Sequence, residues 1–492
     1  MRGADDLTLE ECEALIHHYR RMSAVNFGYV IIPEGCSAAA LIEERPLLAR
    51  AIFTVASWRN HARQAALQLG FMRELSDRYF VKSERSLDLL QALIVYFGWC
   101  HWYATPFANQ AYRQASLIAT LAIELGITQR PTNMNQHDMI VGSASAFSQT
   151  NETVSSKFWS YEARRAYVGT YQISTFCLLL FRKPVLLAHT QYLDECASSL
   201  AADPQYPSDA TLIHQVGSMR LAEQVSVSFD HGSRERVGEL SDDKVQLLVK
   251  TLVKHLNDYK ASLSMGGAQN GPLSRLCHMS RAYIHEVGLY GLLQGQTPSA
   301  TRISIIYECY TSSMRFLSDV LDLSLDDMAD WTSMDWRYLN LAVMLCTKSS
   351  IILDSAQCAT EASQGAAWLY KCLDTLCVRV KELHRQSGAP PAQDHGLKRM
   401  AGEWSAIKVY HQTCIHRNLS QTGPTSASGG VNANGNPTAN ASANAGVAVG
   451  ANIHAPIQQF FDNGVFEMDP LNDIFWTGFT DADGSMNNMF QI

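Results

Sequence analysis

The chain has 492 residues, of which 47% are hydrophobic and 17% charged, and its formal net charge is −8. This size and apolar content suit a large core, and the acidic balance, without a dense Lys/Arg cluster, argues against strong nucleic-acid binding by the chain alone. Its apolar stretches are shorter than the ~20 residues that cross a bilayer, so no membrane partner is expected.

The N-terminal segment is acidic and amphipathic, with no apolar core of the kind found in a signal peptide. We therefore expect an intracellular protein. The twelve cysteines are predicted to be reduced and mostly buried, because paired spacings are absent and an intracellular compartment keeps thiols reduced.

Helical periodicity begins at once. Thr8 and Glu11 form a capping-box pattern ahead of apolar residues at i, i+3 and i+4 spacing. Pro46 occupies the favoured first position of a second helix. The segment Leu87–Trp102 is apolar nearly all round, as in a central buried helix. The next amphipathic segment, Ala111–Leu125, ends before Gly126, a predicted C-cap.

The rest of the body follows the same period. Further helices are predicted at Tyr161–Phe181, Leu212–Val225, Val245–Leu263, Arg275–Leu293, Thr301–Leu321, Trp336–Ser355, Gly365–Gln386 and Leu397–Arg417. No alternating strand pattern is bounded by hairpin turns. The sequence therefore predicts an all-α fold, a large array of stacked helix pairs.

Composition divides the chain into three parts. Residues 1–420 are predicted to form the helical body, with a polar loop at 131–156 inserted between its helices. Residues 421–455 are a low-complexity Gly/Ala/Asn-rich linker, too poor in apolar surface to offset the entropy of ordering. Residues 456–492 form a C-terminal tail that we expect to be disordered.

One acidic string resembles an enzyme motif. Asp326, Asp327 and Asp330 have the Asp-Asp-x-x-Asp spacing with which terpene synthases hold magnesium against a diphosphate. The string lies late in the chain and no second metal-binding string follows it. The alternative is a solvated turn between helices, with Thr332 and Asp335 capping the next helix. A magnesium-dependent terpene-synthase-like enzyme is the alternative function, and a non-enzyme is favoured.

Two Cys/His clusters and one aromatic cluster give weaker evidence for a functional site. Cys277, His278 and His285, and likewise His411-x-x-Cys414-x-His416, lack the convergent ligands of structural zinc. Residues 96–103 are rich in aromatic side chains, which fit a buried helix better than a ligand pocket. No catalytic, cofactor-binding or metal-binding residue is predicted in the chain.

Two segments resemble the regulatory, or middle homology, region of fungal zinc-binuclear-cluster transcription factors. One is Ser86–Ile127, and the other runs from Phe158 to Asp209. The second contains Glu162-Ala-Arg-Arg165, an Arg182-Lys-Pro184 turn and Tyr206-Pro-Ser-Asp209. The resemblance covers most of residues 1–420 and implies a helical regulatory body.

The family's DNA-binding module has no counterpart in this sequence. That module has six cysteines that share two zinc ions, whereas Cys12 and Cys36 stand alone before Cys100. Neither a zinc cofactor nor DNA binding is therefore assigned to this chain alone. Two interpretations remain open: an upstream exon encodes the module, or the chain acts as a co-regulator or competitor of a full-length relative.

The tail is acidic and aromatic. Residues 456–492 carry six acidic and seven aromatic residues and no Lys or Arg, as in transcriptional activation segments. The side chains predicted to contact a coactivator are Phe460, Phe461, Phe466, Phe475, Trp476 and Phe479. A terminal segment that docks back on its own core is the alternative.

The resemblance implies a nuclear regulator of a specific fungal pathway, such as a secondary-metabolite gene cluster. Its expected partners are a coactivator or a full-length zinc-cluster relative, with a small effector as a further possibility. A purely structural scaffold, whose tail is silent in transcription, is the remaining alternative.

Overall fold

The architecture is that of a computed structural model, which describes residues 7–25, 27–100, 111–130, 159–181, 185–231, 234–264, 271–290, 298–355, 359–390 and 396–421. Within these ranges the chain forms seventeen α-helices, two short turns of π- or 3₁₀-helix and no strand. The predicted all-α class is thus confirmed.

Two of the first six helices form a buried pair. The six are α1 (Leu9–Ser23), α2 (Ala38–Glu44), α3 (Pro46–Ala56), α4 (His61–Ser76), α5 (Leu87–Gly98) and α6 (Ala111–Glu124). Helices α3 and α5 pack on each other, and nearly every residue of both is buried. A π-helical turn, Asp77–Val81, follows α4.

Among the middle helices, the four long ones pack closely on one another. The middle helices are α7 (Tyr161–Phe181), α8 (Gln191–Ala202), α9 (Asp209–Phe229), α10 (Arg234–Gly238) and α11 (Asp242–Ser264). Helix α9 contacts α7 and α8 on one side and α11 on the other. Helix α11 lies at the edge of the array, with most of its outward-facing residues exposed.

The last six helices complete the array. They are α12 (Gly271–His285), α13 (Ala300–Leu321), α14 (Leu325–Ala329), α15 (Ser333–Ser355), α16 (Ala359–Gln386) and α17 (Gly396–Gln421). Helices α12, α13 and α15 pack in sequence, and α16 forms a hairpin with α17.

One hydrophobic core runs through all three groups of helices. Its largest fully buried side chains include four tryptophans, two of which have hydrogen bonds to distant residues. The Trp99 indole donates to the Asp330 carbonyl at 3.3 Å, and the Trp404 indole donates to Asn340 Oδ1 at 2.8 Å. These bonds satisfy the indole N–H groups and fix the register of helices far apart in sequence.

Local sequence signals identified several helix ends correctly. Thr8 caps α1 through a reciprocal capping box with Glu11, as predicted. Gly126 adopts φ +72° just after α6, which agrees with its predicted role as a C-cap. The aromatic residues Tyr96, Phe97 and Trp99 are core residues, as favoured.

Other boundaries were predicted wrongly. Helix α12 ends at His285 and continues only as a 3₁₀ turn, Glu286–Leu289, rather than to residue 293. The cause is distant, because the Arg302 guanidinium donates to the carbonyls of Val287 and Tyr290 at 3.1 and 2.9 Å. The central apolar helix ends at Gly98 instead of residue 102. Helices α2, α4, α8, α10 and α14 were not predicted.

Among the described helices, none combines the length and the apolar character needed to span a bilayer. The predicted loop at 131–156, the linker at 421–455 and the tail at 456–492 fall almost wholly outside the described residues.

Candidate functional site

The acidic string serves helix capping and ion pairing. Asp327 accepts hydrogen bonds from the backbone and the hydroxyl of Ser324, which closes a capping box around α14. Asp330 pairs with Arg21 at 3.2 Å. Asp326 points into solvent, 3.8 Å from Arg59. Since these carboxylates have separate partners, the geometry favours the inter-helix turn over the magnesium site.

The helix that follows the string begins as expected from its sequence. Thr332 and Asp335 exchange reciprocal hydrogen bonds, with Asp335 Oδ2 accepting from the Thr332 backbone at 3.0 Å. These bonds satisfy donors that the first turn of α15 would otherwise leave without partners.

The Cys and His residues considered above as metal ligands have separate partners. The His278 side chain lies 3.7 Å from Asp319, whereas His285 bonds to the Arg281 carbonyl at 2.7 Å. His411 bonds to the Tyr370 hydroxyl at 2.8 Å. In the described ranges, no three or more His, Cys, Asp or Glu side chains are arranged to hold a metal ion.

Most cysteines are core residues, as predicted. Nine of the eleven described cysteines are buried, and none of the eleven is in a disulfide. Burial raises the pKa of the Cys309 thiol to about 12 and that of Cys196 to about 11. A thiol with a raised pKa is a poor nucleophile at neutral pH, so these side chains serve packing.

Two of the sequence strings that resemble the regulatory region are in contact in the fold. Arg165 of α7 and Asp209 of α9 form a bidentate pair with both distances 2.7 Å, and both side chains are almost fully buried. Asp209 also accepts from the backbone N–H groups of Gln205 and Tyr206. The pair joins the Glu-Ala-Arg-Arg string to the Tyr-Pro-Ser-Asp string, and its role is structural.

An open groove lies along the same helix, α9, and it is exposed to solvent, unlike the buried ion pair. It lies between α9 and α11, beside the turn that precedes α8, and its volume is about 390 Å³. The lining residues are His189, Arg220, Glu223, Gln224, Val227, Ser228, Leu248, Thr251, Leu252 and His255. The floor is apolar at Leu252, which is buried, and the polar groups lie on the two walls.

The acidic groups at the groove already have partners. Glu223 Oε2 accepts from the Tyr171 hydroxyl at 2.9 Å and from the His189 backbone at 3.2 Å. Asp194, just outside, lies 2.9 Å from the His189 ring and 3.6 Å from Arg220. Burial raises the pKa of the Tyr171 hydroxyl, and the neighbouring Glu223 charge raises it further. The wall is therefore held in place by a satisfied polar network.

The solvent-facing side of α11, next to the groove, is basic and apolar. Lys244, Lys250 and Lys254 of α11 are exposed, and no acidic residue lies between Lys244 and Asn257. Leu247 is 66% exposed, and Val227 on the opposite wall is 75% exposed. These side chains provide apolar contacts beside the groove, with the lysines next to them.

The sequence did not predict this groove. Its residues come from segments up to 66 positions apart, and no local pattern joins them. The one available signal is the lysine-rich, acid-free stretch of α11. The predicted tail contacts, Phe460 to Phe479, lie outside the described residues, so the structure does not test them.

Comparison with known proteins places the fold in a family. The profile of the WAR1 C-terminal domain matches residues 3–340, well over half of the chain. The chain belongs to this family, and the resemblance to the regulatory region of fungal transcription factors is confirmed. No solved structure matches the chain.

Three relatives carry regulatory names. Transcription factor himD of Aspergillus japonicus is 25% identical over 355 residues, covering 70% of this chain and 56% of that protein. Transcription factor opdL of Penicillium oxalicum is 23% identical, covering 65% and 55%. Transcriptional regulator WAR1 of Candida albicans is 23% identical, covering 66% and 33%. The chain thus spans about half the length of the first two relatives.

Proposed function

We propose that the chain is a regulator of fungal transcription, whose helical body controls an acidic-aromatic activation segment at residues 456–492. The observation that carries the proposal is the family match over residues 3–340, whose named relatives are transcription factors. The described geometry supports a non-enzymatic role, because the acidic string and the Cys/His neighbours have packing, capping or ion-pairing roles.

The tail supplies the proposed output. Its aromatic residues would enter a hydrophobic groove of a coactivator, while its six acidic residues favour encounter with basic surfaces. Phe475, Trp476 and Phe479 form the main cluster, and Phe460, Phe461 and Phe466 the second.

The proposed setting is the nucleus, and the proposed target is one pathway, such as a secondary-metabolite gene cluster. Contact with DNA would come from the six-cysteine module of the family. Either the same polypeptide or a zinc-cluster relative would supply that module. Mapping the 5′ end of the native transcript distinguishes these two arrangements.

A reporter assay tests the tail. Residues 456–492 are fused to a heterologous DNA-binding domain, and Phe475, Trp476 and Phe479 are changed to Ala. Because a few buried aromatic anchors carry most of the energy of such interfaces, reporter output should fall by more than about tenfold.

The matched control changes Asn487 and Asn488 to Ala, which should leave the output near that of the parent fusion. A parent fusion that gives no signal would overturn the activation role. An unchanged signal from the aromatic variant would show that the main cluster is assigned wrongly.

A further inference from the structure

The exposed wall of α11 lacks a partner in the described fold. Lys244, Lys250 and Lys254 form no salt bridge within the described residues, and Leu247 between them faces solvent. Asp243 and Asp258 lie only at the two ends of this stretch. The wall therefore presents a basic surface with an apolar centre, beside a groove whose acidic groups are already bonded.

Such a surface fits an acidic segment with apolar anchors. A helix docking in a groove uses anchors at i, i+3, i+4 and i+7 or i+8. In the C-terminal tail, Leu471, Ile474, Phe475 and Phe479 have the spacing i, i+3, i+4 and i+8. Six acidic residues accompany them in residues 456–492, without a single Lys or Arg.

We propose that residues 471–479 of this chain dock in the groove between α9 and α11. The apolar anchors contact Val227, Leu247 and Leu248, and the acidic residues of the tail lie against Lys244, Lys250 and Lys254. This inference rests on the proposed function of the tail, because docking withholds Phe475 and Phe479 from a coactivator and so keeps the segment silent.

The length of the chain allows this contact. Fifty residue steps separate Gln421, where α17 ends, from Leu471. At about 3.3 Å per residue, such a segment reaches at most about 165 Å. A body of about 420 residues has a radius of gyration of only about 22 Å. Since the two sites share one chain, a weak intrinsic affinity is enough for docking.

Photocrosslinking in the full-length chain tests the contact. Leu247 is replaced with 4-benzoylphenylalanine, and the crosslinked peptides are identified by mass spectrometry. The matched control carries the same group at Val378 of α16, which is 67% exposed against 66% for Leu247. We expect an intramolecular crosslink to residues 456–492 from position 247 and none from position 378.

Charge reversal on α11 is the second part of the docking test. Changing Lys250 and Lys254 to Glu should lower the crosslink yield about threefold to tenfold, since each exposed charge pair contributes modestly. Reversing the exposed Lys371 and Lys381 of α16 should leave it unchanged. A product with the mass of two chains, equal yields from positions 247 and 378, or no product in the tail would each overturn the proposal.

The two proposals fail in different ways. If the tail fusion activates the reporter while position 247 gives no tail crosslink, docking is wrong and the activation role stands. If the crosslink forms while the tail fusion gives no signal, the tail docks but does not activate.

Discussion

The two halves of helix α9 place charged residues in opposite environments. At the first end, Asp209 is fully buried and bonded to Arg165 and to two backbone N–H groups. Eleven residues further along the helix, at the start of its second half, Arg220 is 51% exposed at the rim of an open groove. The first half of α9 therefore carries a closed structural ion pair, and its second half faces an open groove that is available to a partner.

The difference follows from the cost of burying charge. A buried ion must be paired and fully hydrogen-bonded, because water no longer stabilises it. The pair at Asp209 meets this condition and has no capacity left for a ligand. At the groove, solvent stabilises Arg220 and the lysines of α11, so these groups can exchange water for an acidic partner.

Removing the buried carboxylate should have the largest effect. Asp209→Ala leaves the Arg165 guanidinium buried without its counter-ion, and we expect a loss of about 3–5 kcal/mol in the free energy of unfolding. Asp194→Ala at the groove is the control, with an expected change below about 1 kcal/mol. Denaturant unfolding of the full chain measures both, and equal losses would remove the contrast between the buried pair and the open groove.

A second buried group should make the fold sensitive to acid. Burial lowers the pKa of His411 to about 4. The unfolded chain has an ordinary histidine pKa of about 6.5, so it binds the proton more readily than the folded chain does. This contribution to stability is complete above pH 6.5 and is lost as the pH falls towards 4, by about 2 kcal/mol between pH 7 and 5.

The matched variant is His411→Gln, which cannot titrate. Unfolding of both proteins at pH 7 and at pH 5 isolates this residue from the other histidines. A loss between the two pH values that is equal in both proteins would contradict the assignment.

An exposed cap should have an intermediate effect. Ser324→Ala removes the capping box of α14 and should cost roughly 0.5–1 kcal/mol. Asp326→Ala, on the same short helix but facing solvent, should cost less than about 0.5 kcal/mol. Thermal unfolding compares the two, and an Asp326 variant as damaging as the Ser324 variant would restore interest in the acidic string as a site.

The smallest effect is expected at the open wall. Reversing Lys250 and Lys254 to Glu should change the free energy of unfolding by less than about 0.5 kcal/mol, because neither side chain has a partner in the described fold. A larger loss in denaturant unfolding that persists when Phe475 and Phe479 are changed to Ala would mean that these lysines stabilise the body itself, and the wall would then not be free for a partner.

Local patterns predicted the parts of the fold that depend on neighbouring residues. The capping boxes at Thr8 and Thr332 and the C-cap at Gly126 each involve residues at most a few positions apart. Helices α2, α4, α8, α10 and α14 were missed because their short or weakly periodic segments become helical through packing rather than propensity.

The sequence also contained both halves of the buried pair. The strings with Arg165 and Asp209 were recognised as parts of one family region, yet nothing in either string indicated that the two side chains meet. They are 44 positions apart, and the packing of α7 on α9 brings them together.

The sequence by itself determined the helical class, the capped helix ends, the mostly buried cysteines and the family, because each depends on local periodicity or on residue strings. Tertiary structure alone decided which charges are enclosed and which are open. Arg165 and Lys250 are both cations. Only the packing of distant helices buries Arg165 and leaves Lys250 exposed. The groove between α9 and α11 exists for the same reason, since the free energy of burial depends on the whole array.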